Sequence, residues 1–248
     1  LKRRGVEHIS YTQIDNPLVR AVDPVFLGLH ATAPDSSAEM SSKMVAKAHA
    51  GEKVGVFCES GGRTMVIEYS DMPEALSKAT NPDGSLKFNA GSIAVHIIGR
   101  AFIERLNENA EGGFALPFHR ADKKVPFVDP GTGELVQPAA PNAVKLEAFV
   151  FDAIPLCKSS IVVETDRVEE FAPIKNAEGA DSPTTSRQIQ TERAARWLEH
   201  AGVKVARRKD GAADCVLEIS PLTAMWPDDL KAHKDLPARI EPGQKLAL

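Results

Sequence analysis

Asp15 follows a run rich in Val, Ile, Tyr and Thr and precedes Asn16-Pro17. The run predicts a strand from Val6 to Ile14. Pro17 has no amide hydrogen, so the ladder should stop there and leave a carboxylate at the strand's carboxyl end. Ligands bind at that edge in open α/β sheets. Turn or cap duty is the simplest role for an isolated Asp15. The alternative is Mg²⁺ ligation, because magnesium takes hard oxygen donors, commonly one or two carboxylates plus substrate phosphates. Asn16 could bond a ligand or serve the turn. Glu68-Tyr69 offers an acceptor for two hydroxyl protons backed by an aromatic ring, or else a solvated strand end. In Asn89-Ala90-Gly91, Asn89 could read a sugar hydroxyl or acetamide while Gly91 lets a ligand approach the backbone. The same triplet could be only a turn before a helix capped by Ser92. Lys175, after Pro173, is either a surface lysine or a cation that offsets charge on a transferring phosphoryl group. Lys123-Lys124 reads as a surface or interface pair.

Other chemistries lack their motifs. His8, His30, His49, His96, His119, His200 and His233 show no HxH or HExxH spacing, which argues against a histidine metal site. There is no GxSxG elbow. Neither GxGxxG nor GxxxxGK[ST] occurs, so no nucleotide-phosphate loop of those types lies in this chain. The net charge of −4 and the short basic clusters Lys2-Arg3-Arg4 and Arg207-Arg208-Lys209 give no reason to expect a nucleic-acid partner. Cys58, Cys157 and Cys215 form no CxxC pair and suit neither a disulfide framework nor a zinc site, so a reducing cytoplasmic setting is expected. No apolar run approaches the roughly 18–20 residues of a membrane span, and no membrane partner is expected. No signal peptide is visible, and the start at Leu1 on a strand-like segment reads as a fragment or truncated gene model.

These candidates need a scaffold. After the first strand, Ser37 to Ala50 carries Ala38, Met44, Val45 and Ala48 as a helical stripe stopped by Gly51. Lys53 to Cys58 and Arg63 to Tyr69 form a hairpin around Ser60-Gly61-Gly62. Asn81-Pro82-Asp83-Gly84 is a turn. Ile93, Ile97, Ala101, Phe102 and Leu106 predict a helix from Ser92. Residues 112–145 read as loops and short strands, and Phe149–Ile154 and Ile161–Thr165 as buried strands. Pro183-Thr184-Thr185 opens a helix through Leu198 that Gly202 closes. A small β unit follows, Val203–Ala206 and Cys215–Ile219 around a turn at Lys209-Asp210-Gly211. The division expected is 1–180 for an α/β domain and 181–248 for a helix with a small, mostly β appendage.

The order of several blocks goes further. Tyr11-Thr12-Gln13-Ile14-Asp15-Asn16-Pro17-Leu18 and Val22-Asp23-Pro24-Val25-Phe26-Leu27-Gly28 resemble a paired run of the eukaryotic-type UDP-N-acetylhexosamine pyrophosphorylases. Val66-Ile67-Glu68-Tyr69-Ser70, Phe88-Asn89-Ala90-Gly91-Ser92, Lys123-Lys124-Val125-Pro126 and Phe149-Val150-Phe151-Asp152 follow in family order. Glu169-Glu170-Phe171-Ala172-Pro173-Ile174-Lys175-Asn176 and Asp181-Ser182-Pro183-Thr184-Thr185 complete the series, over about residues 5 to 190. Two positions depart from the pattern: Ala143 follows Asn142 where the family has glycine, and Ser92 follows Gly91 where it has asparagine.

The resemblance implies an α/β, glycosyltransferase-A-like (Rossmann-like) mixed sheet, present in part, with a small C-terminal domain. It implies Mg²⁺ on Asp15, sugar contacts from Glu68, Asn89 and Gly91 with Gly55 and Tyr69 nearby, and a sugar-side pocket shaped by Phe149 and Phe151. Lys175 matches a phosphate-contacting lysine, so Asp15 and Lys175 are the expected catalytic groups. The implied reaction joins UTP to a sugar 1-phosphate, HexNAc 1-phosphate preferred, and releases pyrophosphate. A UDP-glucose or broad UDP-sugar pyrophosphorylase is the alternative within the class, and a non-catalytic sugar-phosphate-binding remnant the alternative outside it. The family's glycine-rich loop lies upstream of the first strand here, so these residues alone are not expected to be a competent uridylyltransferase.

Overall fold

The structure, a computed structural model, describes residues 1–108 and 116–248. Residues 112–115 of the expected loop region lie outside the described residues. The strands in chain order are β1 (His8–Tyr11), β2 (Met40–Ala46), β3 (Val56–Ser60), β4 (Arg63–Ile67), β5 (Ala90–Gly99), β6 (His119–Lys123), β7 (Phe127–Val128), β8 (Leu135–Val136), β9 (Ala143–Glu147), β10 (Val162–Glu164), β11 (Lys204–Val205), β12 (Val216–Glu218), β13 (Arg239–Ile240) and β14 (Lys245–Ala247). The α-helices are α1 (Pro24–Thr32), α2 (Glu74–Ser77), α3 (Arg100–Glu108), α4 (Arg167–Glu170) and α5 (Pro183–His200). Two compact units result: Leu1–Tyr11 with Pro24–Val163, and Thr12–Asp23 with Glu164–Leu248. They divide at 163/164, where the sequence drew its boundary at 180. Among the described residues no helix is long and apolar enough to cross a membrane.

The first unit is built on β5. One edge of β5 pairs antiparallel with β2 along seven residue pairs, from Met40↔Ile98 to Ala46↔Ala90. Its other edge takes β1 beside its carboxyl half and β3 at Gly91. With β4 and β10 these strands make one six-stranded sheet. The α/β class with a mixed central sheet is therefore as expected. Three local expectations are not. The segment from Ser37 to Ala50 is not a helix: Met40 to Lys43 are all buried, and β2 lies between β10 and β5, so pairing on both edges overrides a weak helical stripe. The helix expected from Ser92 begins only at Arg100, because Ile93, Val95 and Ile97 fit a strand's alternation as well as a helical face. The strand expected at Phe149–Ile154 is a 3-10 segment, Val150–Leu156. Pro155 cannot donate to a ladder, and Ala153 and Ile154 pack with Met40, Phe57, Val66 and Phe102.

Other turns follow local chemistry. The β3–β4 hairpin closes at Ser60↔Arg63 through Gly61 and Gly62, whose φ values of 58° and 73° are open to glycine at little cost. The expected short strands after residue 116 are present as two ribbons, β6–β9 and β7–β8. Asn142 clasps Val125 there, accepting from its amide at 2.8 Å and donating to its carbonyl at 3.0 Å. Strand β1 covers only His8–Tyr11 of the expected Val6–Ile14, so Asp15 lies in the turn beyond it.

In the second unit, α5 runs from Pro183 to His200 as the sequence predicts. Ser182 and Thr185 form a reciprocal capping box, and Gly202 follows the helix at φ 91°. Ala194, Ala195, Trp197 and Leu198 pack against Val203, Cys215, Leu217, Leu230 and Ile240. The remaining strands pair in parallel, β11 with β13 and β12 with β14. Helix α5 and these two short parallel strand pairs pack in this unit.

Strand β2 carries two buried serines, each beside a buried histidine, His30 from α1 and His96 from β5. His30 Nδ1 lies 2.8 Å from Ser41 Oγ, and His96 Nδ1 lies 2.8 Å from Ser42 Oγ, its cross-strand partner. Burial lowers both imidazoles from 6.5 to about 4, and the charge of His8 lowers His30 further. The folded protein therefore holds both neutral at pH 7. Between about 6.5 and about 4 the unfolded chain binds more protons than the folded one, so stability falls as pH drops through that window. Denaturant unfolding at pH 7.5 and pH 5 should show a lower midpoint at pH 5. His96→Gln should reduce that dependence; an unchanged pH dependence in the variant removes His96 from the account.

Candidate functional site

In the second unit one buried amide places two of the expected residues. Asn16, 5% exposed, donates from Nδ2 to the Glu170 carbonyl at 2.7 Å and accepts at Oδ1 from the Ala172 amide at 3.0 Å. The Ile174 amide then donates to the Asp15 carbonyl at 2.9 Å. These bonds lay the Asp15 turn along the Phe171–Lys175 segment, so the carboxylate of Asp15 and the ammonium of Lys175 belong to adjoining stretches of backbone. Ser186 Oγ in α5 donates to the Ala172 carbonyl at 2.7 Å and ties the segment to the helix. Lys175 is exposed, and its amide donates to the Asp181 carbonyl at 2.7 Å, closing the loop before α5.

Charged neighbours complete the clamp. Arg20 bonds Glu170 at 2.7 Å and Glu169 at 3.3 Å, and its guanidinium lies 4.3 Å from the Trp226 ring centroid. Trp197 Nε1 donates to Glu169, and Arg193 stacks over Trp197 at 5.0 Å. Burial lowers the Arg193 pKa, with Glu169 opposing the shift. Sequence reasoning left Asn16 open and did not single out Arg20. Its signal was the Asn-Pro pair and the two adjacent acids Glu169-Glu170, which cannot be paired to a distant arginine without the fold.

Asp15 is a half-buried hard-oxygen donor in a turn. Among the described residues no group of three or more His, Cys, Asp or Glu side chains is placed to hold a metal ion. A cage supplied wholly by protein is therefore ill suited to this region, whereas a cation held by one carboxylate and by substrate oxygens fits the donors present.

In the first unit two strand pairings collect the sugar-side candidates. Val56 pairs with Ile67 on one side and with Gly91 on the other, so Gly55 lies beside Glu68, and the Ser92 amide donates to the Gly55 carbonyl at 2.8 Å. A Cβ on Gly55 would come within 2.8 Å of Val66 Cγ1 and 3.4 Å of Glu68 Oε1. At Gly91 it would meet the Val45 carbonyl and Val54 Cγ2, each at 3.1 Å. Both glycines thus have a packing requirement of their own. Asn89 is exposed, accepts from the Lys47 amide at its carbonyl, and precedes a strand rather than the expected helix. Tyr69 is 49% exposed.

Phe149 and Phe151 do not share a strand, yet they meet. Their rings stack with centroids 4.9 Å apart and planes 13° apart, because the 3-10 turn brings them together. Phe151 also packs against the core containing Ala153 and Ile154. His119, which the sequence left unassigned, lies 4.7 Å from Phe149.

Known proteins resemble this chain in sequence and in fold. The profile of the UTP–glucose-1-phosphate uridylyltransferase family matches residues 1–187. A human UDP-N-acetylhexosamine pyrophosphorylase-like protein 1 is 37% identical over 94% of this chain and 48% of its own length. The UDP-N-acetylglucosamine pyrophosphorylase of Saccharomyces cerevisiae is 37% identical over 94% and 47%. The chain thus spans about half the length of the curated relatives it matches. A solved UDP-N-acetylglucosamine pyrophosphorylase from Trypanosoma brucei superposes with a TM-score of 0.73 at 25% identity, covering 96% of this chain and 49% of that one.

The clamp can be tested without any substrate. Asn16→Ala leaves a buried carbonyl and amide unpaired, at about 1–3 kcal/mol for each group. A stability loss of about 2–6 kcal/mol is expected in denaturant unfolding. Asn16→Asp should be at least as damaging, since it turns an acceptor toward the Glu170 carbonyl. Wild-type stability in Asn16→Asp would contradict the assigned bonds.

Proposed function

The chain belongs to the UTP–glucose-1-phosphate uridylyltransferase family, and we propose that it supplies the sugar-binding and phosphate-binding elements of a UTP:N-acetylhexosamine-1-phosphate uridylyltransferase. The observation that carries this reading is the Asp15–Ile174 backbone bond, which sets a metal-type carboxylate and a phosphate-type lysine on adjoining stretches. The N-acetylhexosamine and N-acetylglucosamine names of the relatives at 37% identity favour a HexNAc 1-phosphate over glucose 1-phosphate. A cytoplasmic setting accords with three unpaired cysteines and a UTP substrate.

In this reaction an oxygen of the sugar 1-phosphate attacks the α-phosphorus of UTP. The new O–P bond forms as the bond to the β-phosphate bridging oxygen breaks, and pyrophosphate leaves with its electrons. No covalent enzyme intermediate is needed, so the protein acts by positioning and charge compensation. Lys175 offsets negative charge on a substrate phosphate. Glu68 accepts hydroxyl protons of the sugar, Asn89 orients it, and Phe149 with Phe151 forms an apolar wall; Tyr69 backs Glu68. Asp15 would hold Mg²⁺, which when bound offsets charge on phosphate oxygens.

The direct test is pyrophosphate release by the intact protein with Mg²⁺, UTP and either GlcNAc 1-phosphate or glucose 1-phosphate. A clear preference for GlcNAc 1-phosphate is expected; preference for glucose 1-phosphate would shift the reading to a UDP-glucose pyrophosphorylase. Asp15→Asn should lower turnover by orders of magnitude and raise the Mg²⁺ requirement, and near-normal turnover and metal dependence would remove Asp15 as a ligand. Lys175→Ala should lower kcat/KM about 10- to 150-fold, the loss of one charge-assisted bond of about 1.5–3 kcal/mol. A change below about threefold would mark Lys175 as a surface lysine.

A further inference from the structure

The pairing of His119 with Asp152 is not used by any role assigned above. His119 opens β6, and its register partner Glu147 lies two residues before Phe149. Asp152 follows Phe151 directly, and its amide donates to the Phe149 carbonyl at 3.1 Å. Nε2 of His119 lies 2.7 Å from Oδ2 of Asp152, within the range of a charge-assisted bond. The imidazole in turn lies 4.7 Å from the Phe149 ring, which stacks on Phe151 at 4.9 Å. Three rings therefore stand in a row, with a carboxylate fixing the first.

This row has the composition of a binding surface rather than of a core. The side chains of His119 and Asp152 are 35% and 17% exposed, and both Phe149 and Phe151 are only half-buried. The bond occupies one nitrogen of the ring and one oxygen of the carboxylate. Among the described residues, Nδ1 of His119 and Oδ1 of Asp152 have no hydrogen-bond partner. With Asp152 ionised, a neutral imidazole donates from Nε2 to it and presents Nδ1 as an acceptor. Apolar ring faces edged by a few directed polar atoms are the usual furniture of a small-molecule site. A pyranose matches it: C–H groups meet the rings, and a hydroxyl or acetamido N–H meets the acceptor.

We propose that His119 and Asp152 are specificity-determining residues for the sugar 1-phosphate, with Asp152 holding the imidazole against Phe149 and Nδ1 accepting a hydrogen bond from the sugar. The proposal rests on the reading that Phe149 and Phe151 line the sugar pocket. His119→Phe keeps a ring beside Phe149 and removes both nitrogens. Steady-state kinetics of the intact protein would vary GlcNAc 1-phosphate at saturating UTP, and then UTP at saturating sugar, for His119→Phe, His119→Asn and Phe149→Ala, with Tm measured for each.

His119→Phe should raise KM for GlcNAc 1-phosphate about three- to tenfold, the scale of one neutral hydrogen bond, while KM for UTP stays at the wild-type value. His119→Asn, which restores an acceptor, should recover part of the loss. A lowered Tm with both KM values unchanged would make the pair structural and overturn the proposal. A raised sugar KM in Phe149→Ala with none in His119→Phe would overturn it and leave the pocket reading intact. No change in either would remove the pocket reading as well, and absence of turnover in the wild type would remove the proposed activity itself. If His119→Phe does not fold, the same KM split in His119→Ala decides.

Discussion

A buried side-chain amide must have its donor and acceptor satisfied, and Asn16 meets that demand with two backbone groups far away in sequence. The placement of the second unit's candidate residues depends on this constraint. Once Asn16 is bound to Glu170 and Ala172, the Asp15 carbonyl lies where the Ile174 amide reaches it, and the chain has little freedom to carry Asp15 elsewhere. The neighbouring ion pair reinforces the arrangement. The Arg20 and Glu170 side chains are 10% and 3% exposed, so removing Arg20 would strip a buried carboxylate of its charge partner, at a cost of about 3–5 kcal/mol. The pair adds less through attraction than through the penalty for breaking it. It therefore specifies where the segment 12–23 must lie.

The first unit uses a different device. Its candidate residues are gathered by β-ladder register, which is all-or-none: a shift by one residue turns every side chain to the other face. Val56, paired with both Ile67 and Gly91, is the point where β3, β4 and β5 agree on a register. The glycines at 55 and 91 allow that agreement, since a Cβ at either position would press on Val66 or on the Val45 carbonyl. Sheet stability and site geometry are thus set by the same contacts. The buried histidines His30 of α1 and His96 of β5 act similarly: each satisfies a buried serine hydroxyl of β2, and burial disfavours its charged form.

Exposure separates anchoring groups from groups free to meet a ligand. Asn16 and Glu170 are buried and Arg20 nearly so, all three bonded to protein partners, whereas Lys175 and Asn89 are exposed. Asp15, Glu68 and His119 are intermediate. Polar groups in that range take their orientation from their surroundings while part of their surface still meets solvent.

The amino-acid sequence determined features that depend on a few adjacent residues. Gly61-Gly62 required a tight hairpin, and Ser182-Pro183 with Gly202 bounded α5. Short-range steric preference and local capping settle such elements without help from the rest of the chain. The order of blocks from Tyr11 to Thr185 also indicated the family. Only the tertiary structure decided the rest. Met40–Ala46 became a strand because two neighbours supplied ladder partners, and Ile93–Ile97 followed for the same reason, although both segments carry helical spacing. Phe149 and Phe151 meet through a 3-10 turn that no periodicity encodes, and His119 reaches Asp152 across 33 positions. Asn16 reaches Glu170 across 154. Hydrogen bonds over such separations leave no spacing pattern in a single sequence, because the fold, and not the local chain, brings their partners within reach.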